Sequence, residues 1–333
     1  MPAIQVPPVE LSAKTLSGDR KAAVLANSIC VLFWGFSFIS IKITVPVFPP
    51  MTLGAVRFAI AIALLFVMYR LAEKPDGGSR GRLKEDMPFL AGSGLAGVTF
   101  YFFCENNGVA LVTASEASLM VALIPVLTMI TEWCAAKLLR TNSRTLKRRH
   151  WLGAFISVTG IILVVQVSFA LSGNISGYLF MGGAALCWVL YGFLTKPLFS
   201  RNRSRIYIVF WQNFFGFLGF LPFAALEYKA WGTPDAIVIL HVLFLAICCS
   251  ALGYWLYAHA LKVLGISVSA VFINLIPVVT VIAGFFIQGE RLSGLQWAGA
   301  ALVLTGVYLA VSPQHPFPET AAKGHRAHGA PPA

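Results

Sequence analysis

The sequence predicts an all-α integral membrane protein: ten transmembrane helices arranged as two inverted-topology five-helix repeats. Three observations carry this. The composition is too apolar for a soluble domain. The apolar residues fall into ten runs of spanning length. The second half of the chain repeats motifs of the first. Of 333 residues, 58% are hydrophobic and 11% charged, where a soluble domain carries about 25% charged residues. Lipid-facing helices need apolar side chains all round.

A spanning helix needs about 20 apolar residues. The runs fall near 22–43, 50–71, 87–111, 115–137, 150–168, 177–198, 207–227, 237–261, 266–289 and 293–312. Residues 1–21 form a polar, Pro-containing segment, expected to be cytoplasmic. The run after them is long enough to span and lacks a small-residue cleavage site, so it is expected to be a retained first helix. Residues 22–168 and 177–312 make the two halves, and the Pro- and His-containing tail, 313–333, is expected to be disordered.

With the N-terminus inside, twenty-one of the 25 Lys and Arg fall on the cytoplasmic side. Only Lys42, Lys229 and Arg291 fall opposite, and Arg57 lies within a helix. Such a bias is the positive-inside pattern and predicts both termini in the cytoplasm of an inner or plasma membrane. It also accounts for the net charge of +12 and for the basic stretch "RTNSRTLKRRH", which makes a nucleic-acid partner unnecessary. The six cysteines lie in apolar runs with no CxxC pair and no His at metal spacing. They read as small buried apolar residues, with no metal or cofactor implied.

Internal repetition supplies the topology. "WLGAFISVTGIILVV" from 151 matches "WAGAALVLTGVYLAV" from 297, and "LIPVLTMI" from 123 matches "LIPVVTVI" from 275. Trp34 and Lys42 match Trp188 and Lys196 at the same spacing. Five is odd, so a second five-helix unit enters the membrane upside down. Inverted halves around an in-plane axis are the architecture of many secondary transporters.

These residues also resemble a family. "FWGFSFISIK", "LGAVRF", the mid-helix Pro125 and Pro277, and "GERLSGLQWAGAALVLTGVYL" are similar to the EamA-type members of the drug/metabolite transporter superfamily, over about residues 22–312. The resemblance implies ten helices, no ATP-hydrolysing site, and export or exchange of small metabolites such as amino acids. One departure is visible: the Gly289–Glu290–Arg291 turn has no counterpart after the fourth run.

Ionisable residues inside the membrane cost at least about 2.5–3.5 kcal/mol each and are functional candidates. Arg57 is seven residues into its run, roughly 10 Å deep, and Glu105 is six residues from the same face, roughly 9 Å deep. Opposite charges at one level either pair structurally or hold a charged substrate between them. Asn106 and Asn107 follow Glu105, and Tyr101 is one turn away. Asn274 lies three residues before Pro277, beside a carbonyl that proline leaves unbonded. Trp34 and Trp188 occupy matching mid-membrane positions, where interface anchoring does not explain them. Trp211 matches the Arg57 region in the second half, with Gln212 and Asn213, and Tyr254 and Tyr257 flank one half of the eighth run. Together Trp34, Arg57, Tyr101, Glu105, Asn106, Trp188, Trp211 and Asn274 form the expected substrate site. Aromatic faces of this kind suit organic cations and planar metabolites. Lys42 and Lys196 either snorkel to an interface or flank the two mouths of a pathway. Pro125, Pro277, Glu132 and Lys196 are the expected kink or gate residues, with Glu132 reaching Lys196 or Lys262 when the inner side is closed.

The expected function is a secondary transporter, an exporter of small polar or amphipathic metabolites working by alternating access. Its partners are a small-molecule substrate and the lipid bilayer, with protons a candidate coupling ion, through Glu105, and a monomer or homodimer as the assembly. The chain has no GxxxxGK[ST] loop to hold ATP phosphates. Within transport, the alternative is a flippase for a lipid-linked head group. An integral-membrane enzyme would need HExxH, GxSxG or a His/Asp cluster, and none is present. A sensor or scaffold would gain nothing from repeated halves.

Overall fold

A computed structural model describes residues 13–72, 79–112, 114–139, 148–165, 174–201, 203–288 and 293–311. The Gly289–Glu290–Arg291 turn, most of the basic loop after 139, most of the N-terminal segment and the tail after 311 lie outside the described residues. Among the described residues there is no strand, and eight helices are long and apolar enough to cross a membrane. They are α1 (Gly18–Thr44), α2 (Pro50–Ala72), α3 (Arg82–Leu111) and α4 (Glu116–Leu138), then α6 (Ile175–Ser200), α7 (Arg205–Leu226), α8 (Ala236–Leu264) and α9 (Ile266–Gly284). Two 18-residue helices, α5 (Arg148–Val165) and α10 (Gly294–Val311), complete the fold. The protein is therefore an all-helical, multi-pass membrane protein.

Helical structure begins at Ala13, ahead of the expected first span. The polar residues Arg20 and Lys21 thus belong to the end of the first helix and not to a separate segment. At the far end of α8, Gly265 links directly to α9 with φ 87° and ψ 167°. An L side chain rarely adopts that conformation, so glycine allows the two helices to reverse within one residue.

The helices pack in a regular scheme. α1 lies against α8 and α9, α6 against α3 and α4, α2 against α7, and α5 against α10. The last pair shows why its sequence is rich in small residues. A Cβ at Gly153 would strike the carbonyl oxygen of Gly306, and one at Gly306 would strike that of Gly153. Gly160 faces the carbonyl of Gly299 in the same way. Lipid tails compete for apolar surface as well as Leu does, so close backbone approach through small residues is what holds two membrane helices together.

Four helices depart from regular α geometry. α3 contains a π-helical segment at Leu95–Phe100, and α8 contains one at Leu245–Leu252. α9 passes through a 3-10 turn at Phe272–Asn274, and α4 is interrupted at Ala122. Pro125 and Pro277 each take the third position of the helix that resumes after the interruption. There the missing N–H falls in a first turn, where it would have had no intrahelical partner. The prolines therefore follow a break in the helix where the sequence predicts a bend within a continuous one.

Replacing Gly153 or Gly306 by Val should push α5 and α10 apart, destabilising the fold by about 1–3 kcal/mol. The check is the thermal midpoint in detergent, which should fall by several degrees. A midpoint equal to wild type would show that the glycine contacts do not hold the pair together.

Candidate functional site

A cavity lies at the centre of the bundle. Helices α1, α2, α3, α4, α6, α8 and α9 all reach it. Its polar lining is Ser37, Arg57, Tyr101, Glu105, Trp188, Tyr254 and Trp34, and apolar residues such as Phe102, Ile124 and Ile276 close it. The space is about 20 Å³, enough for one water molecule and for no metabolite. In this conformation the site is filled by its own side chains.

Arg57 is 1% exposed. Its Nε donates to Ser250 Oγ on α8 at 2.5 Å. Its guanidinium carbon lies 4.3 Å from the Phe102 ring centre and 5.5 Å from that of Phe58. Its Nη1 has no hydrogen-bond partner among the described residues. Glu105 is 3% exposed and accepts one hydrogen bond, from Tyr101 Oη at 2.7 Å. The two opposite charges line one cavity, yet they form no ion pair with each other. Arg57 is thus a cation held by ring faces and one hydroxyl, with a donor left over.

Aromatic rings build the opposite wall. Trp34 and Trp188 meet edge to face, with centres 5.1 Å apart. Tyr257 contacts both, and Trp188 Nε1 donates to Tyr257 Oη at 3.3 Å. The π-helical segments supply the acceptors that fix these rings. Trp34 Nε1 donates to the Cys249 carbonyl at 3.0 Å, and Tyr254 Oη donates to the Gly97 carbonyl at 2.5 Å. A π turn breaks the regular ladder and exposes a carbonyl, which is why such segments cluster at sites.

The second half offers a neutral counterpart. Gln212 on α7 donates through Nε2 to Ser93 Oγ on α3 and Thr195 Oγ1 on α6, each at 2.8 Å. Arg57 stands to Ser250 on α8 much as Gln212 stands to Ser93 on α3, but only the Arg57 side carries charge.

Five of the eight expected site residues line the cavity: Trp34, Arg57, Tyr101, Glu105 and Trp188. The other three do not. Asn106 turns away and donates to the Pro50 carbonyl at 2.8 Å, tying α3 to the start of α2. Trp211 is half-buried among Phe210, Phe214 and Phe215. Asn274 is fully buried in the 3-10 turn of α9, and neither amide atom has a hydrogen-bond partner among the described residues. Its neighbours Ile273 and Ile276 reach the cavity instead. Ser250, Ser37 and Phe102 went unnoticed in the sequence. A serine inside the eighth apolar run was the one signal available for Ser250.

The two ends of the bundle are closed by different groups. Lys42 Nζ donates to the carbonyls of Val109, Ala110 and Val112 at 2.8, 3.3 and 2.9 Å. It thereby satisfies the C-terminal carbonyls of α3, where a cation also meets the negative end of the helix dipole. At the same end Tyr178 Oη donates to Glu116 at 2.6 Å, joining α6 to α4. At the opposite end Glu132 on α4 accepts from Ser267 on α9 and lies 3.6 Å from Lys196 Nζ on α6. Asp86 there is fully buried and holds Arg201 and Arg203 at 2.7 and 2.6 Å.

A model of the EamA-like transporter family matches the chain twice, over residues 21–166 and 175–312. The chain belongs to the EamA-like transporter family. Its relatives are likewise transporters. An uncharacterized transporter of Archaeoglobus fulgidus is 28% identical over 88% of this chain and 99% of its own length. A probable amino-acid metabolite efflux pump of Salmonella typhimurium is 27% identical over 88% of this chain and 95% of its own. A probable terminal-alkyne amino-acid exporter of Streptantibioticus cattleyicolor is 25% identical over 86% and 92%. One solved crystal structure of a protein superposes with a TM-score of 0.66 over 87% of this chain and 97% of that one. Its 20% identity makes it a likeness of fold alone. This EamA-like chain is thus a multi-pass membrane transporter.

Removing the Ser250 hydroxyl would leave the Arg57 Nε without an acceptor inside the membrane. Ser250→Ala should destabilise the protein by about 1.5–3 kcal/mol, the value of a hydrogen bond to a charged group. Ser250→Thr, which keeps the hydroxyl, should retain most of the stability in thermal unfolding. Equal loss in both variants would mean that the π segment tolerates only serine for packing reasons.

Proposed function

We propose that the protein exports small amphipathic zwitterions, amino acids and related metabolites, by alternating access through the Arg57–Glu105 cavity. The observation that carries this is two buried groups of opposite charge that line one cavity without forming an ion pair. In a low-dielectric site an uncompensated pair of this kind is costly. A zwitterion supplies both missing partners: its carboxylate to the Arg57 guanidinium, its ammonium to Glu105 and the neighbouring ring faces of Tyr101 and Trp188. The names of the efflux and exporter relatives agree with this substrate class.

The ten spans are read as two inverted five-helix repeats with both termini cytoplasmic. Support comes from the twofold family match and from the reciprocal glycine contacts, in which Gly153 meets Gly306 and Gly160 meets Gly299. Because Gly153 and Gly299 occupy the same place in the repeated motif, as do Gly160 and Gly306, the two contacts are images of each other. The conformation is an occluded one, closed at the outer end by Lys42 of α1 bound to the carbonyls that end α3 and at the inner end by Glu132 with Ser267 and Lys196. Export would break the inner set to load the site and the outer set to release cargo. Glu105 is the carboxylate placed to carry a coupling proton.

The test is counterflow of radiolabelled amino acids in proteoliposomes. Arg57→Ala and Glu105→Gln should each lower transport at least 10-fold, as loss of one charge-assisted contact predicts, while both variants still elute as folded protein. The reversed pair, Arg57→Glu with Glu105→Arg, should stay inactive. Recovery of transport with unchanged selectivity in that double variant would make the two charges a structural lock and overturn the proposal.

A further inference from the structure

Cys104 and Cys187 stand apart from the other cysteines. Cys30 and Cys249 donate to the carbonyls of Gly253 and Phe33 at 3.3 and 3.4 Å. Cys104 on α3 and Cys187 on α6 instead belong to two helices packed directly against each other. The backbone brings them to neighbouring turns. A Cβ at Gly183 would come within 3.1 Å of Cys104 Sγ, and Cys187 lies one turn further along the same face of α6. Both residues are half-buried. An open groove of about 380 Å³, lined by Ser176, Leu179 and Phe180, reaches Cys104. The groove opens on the surface of α6 where Leu179, Leu186 and Leu190 are exposed, a surface suited to acyl chains.

The position of the pair relative to the cavity gives it consequence. Glu105 directly follows Cys104, and Trp188 directly follows Cys187. Both successors line the cavity. Each thiol therefore sits on the same helix turn as a cavity-lining group, about 100° around the axis from it. A covalent bond between them would fix the spacing of those turns.

We propose that Cys104 and Cys187 are a redox-responsive pair, oxidised to a disulfide by organic hydroperoxides that enter from the bilayer, and that the disulfide holds α3 to α6 with the cavity shut. In the first step Cys104 sulfur attacks the terminal peroxide oxygen. The O–O bond breaks, the thiol proton passes to the departing alkoxide, and an alcohol and a Cys104 sulfenic acid result. In the second step Cys187 sulfur attacks the sulfenic sulfur, and hydroxide leaves with the Cys187 proton as water. Two thiols and one hydroperoxide thus give one disulfide, one alcohol and one water. The arrest of transport rests on the export reading above, whereas the disulfide and its stiffening of α3 do not.

The experiment uses the full chain in lipid nanodiscs exposed to cumene hydroperoxide. Digestion and mass spectrometry should recover a peptide pair linked through Cys104 and Cys187. Amide hydrogen exchange across residues 101–105 should slow at least 5-fold on oxidation and return with dithiothreitol. Counterflow of amino acids should fall at least 5-fold in parallel. Cys187→Ser should form no linked pair, should accept dimedone at Cys104, and should keep exchange and counterflow unchanged by oxidation. Oxidation of exposed Cys134 with no Cys104–Cys187 link would overturn the proposal. So would a linked pair that leaves exchange across 101–105 unaltered. A reduced protein that moves no amino acid while the link and the slowed exchange appear would instead count against the export reading alone.

Discussion

A guanidinium buried in the membrane core without a carboxylate partner is the constraint around which the site is built. Insertion of such a group costs at least about 2.5–3.5 kcal/mol. The groups in contact with it are the Ser250 hydroxyl and the faces of Phe102 and Phe58. None of these is an anion, so the positive charge stays available. Glu105 is treated alike, with one phenol hydrogen bond and no cation in contact. Had the two been moved together, the bundle would have gained an internal ion pair.

Holding them apart demands stiff backbone in unusual shapes. The π segments in α3 and α8 supply carbonyls at Gly97 and Cys249 that anchor Tyr254 and Trp34. Small residues let the rings approach: a Cβ on Gly97 would enter the Tyr191 ring, and one on Gly253 would come within 2.9 Å of Trp34 Nε1. The breaks in α4 and α9 place Ile124 and Ile276 against the cavity, each directly before a proline. Regular helices would keep their carbonyls to themselves and give the rings no fixed seat.

Much of this was legible in the sequence because bilayer physics imposes length and charge rules. Apolar runs matched the helices among the described residues to within about five residues, apart from an early start at Ala13, and eight of those helices are long and apolar enough to span. Rise per residue placed Arg57 and Glu105 at one depth, and both indeed line one cavity. Rotation about a helix axis was not legible. Helices apolar on every side carry little amphipathic signal, so nothing in the pattern said that Asn106 turns to Pro50 or that Trp211 packs among phenylalanines. The helix irregularities were hidden for a related reason. A π turn depends on what packs across it, and Ser250 looked like any small residue of an apolar run. Lys42 and Lys196 share a motif yet meet different partners: a helix terminus in one case and Glu132 in the other.

The central claim is that Arg57 receives the carboxylate of a zwitterion and Glu105 its ammonium. A binding cycle between protein and ligand tests it most directly. Affinity for L-phenylalanine, phenethylamine and hydrocinnamate would be measured on wild type, Arg57→Gln and Glu105→Gln by calorimetry in detergent. The account predicts that phenethylamine binds wild type at least 10-fold more weakly than phenylalanine and that Arg57→Gln erases this difference. Hydrocinnamate should show the same relation to Glu105. Discrimination that survives unchanged in both variants would mean that neither charge touches the ligand, and the account would fail.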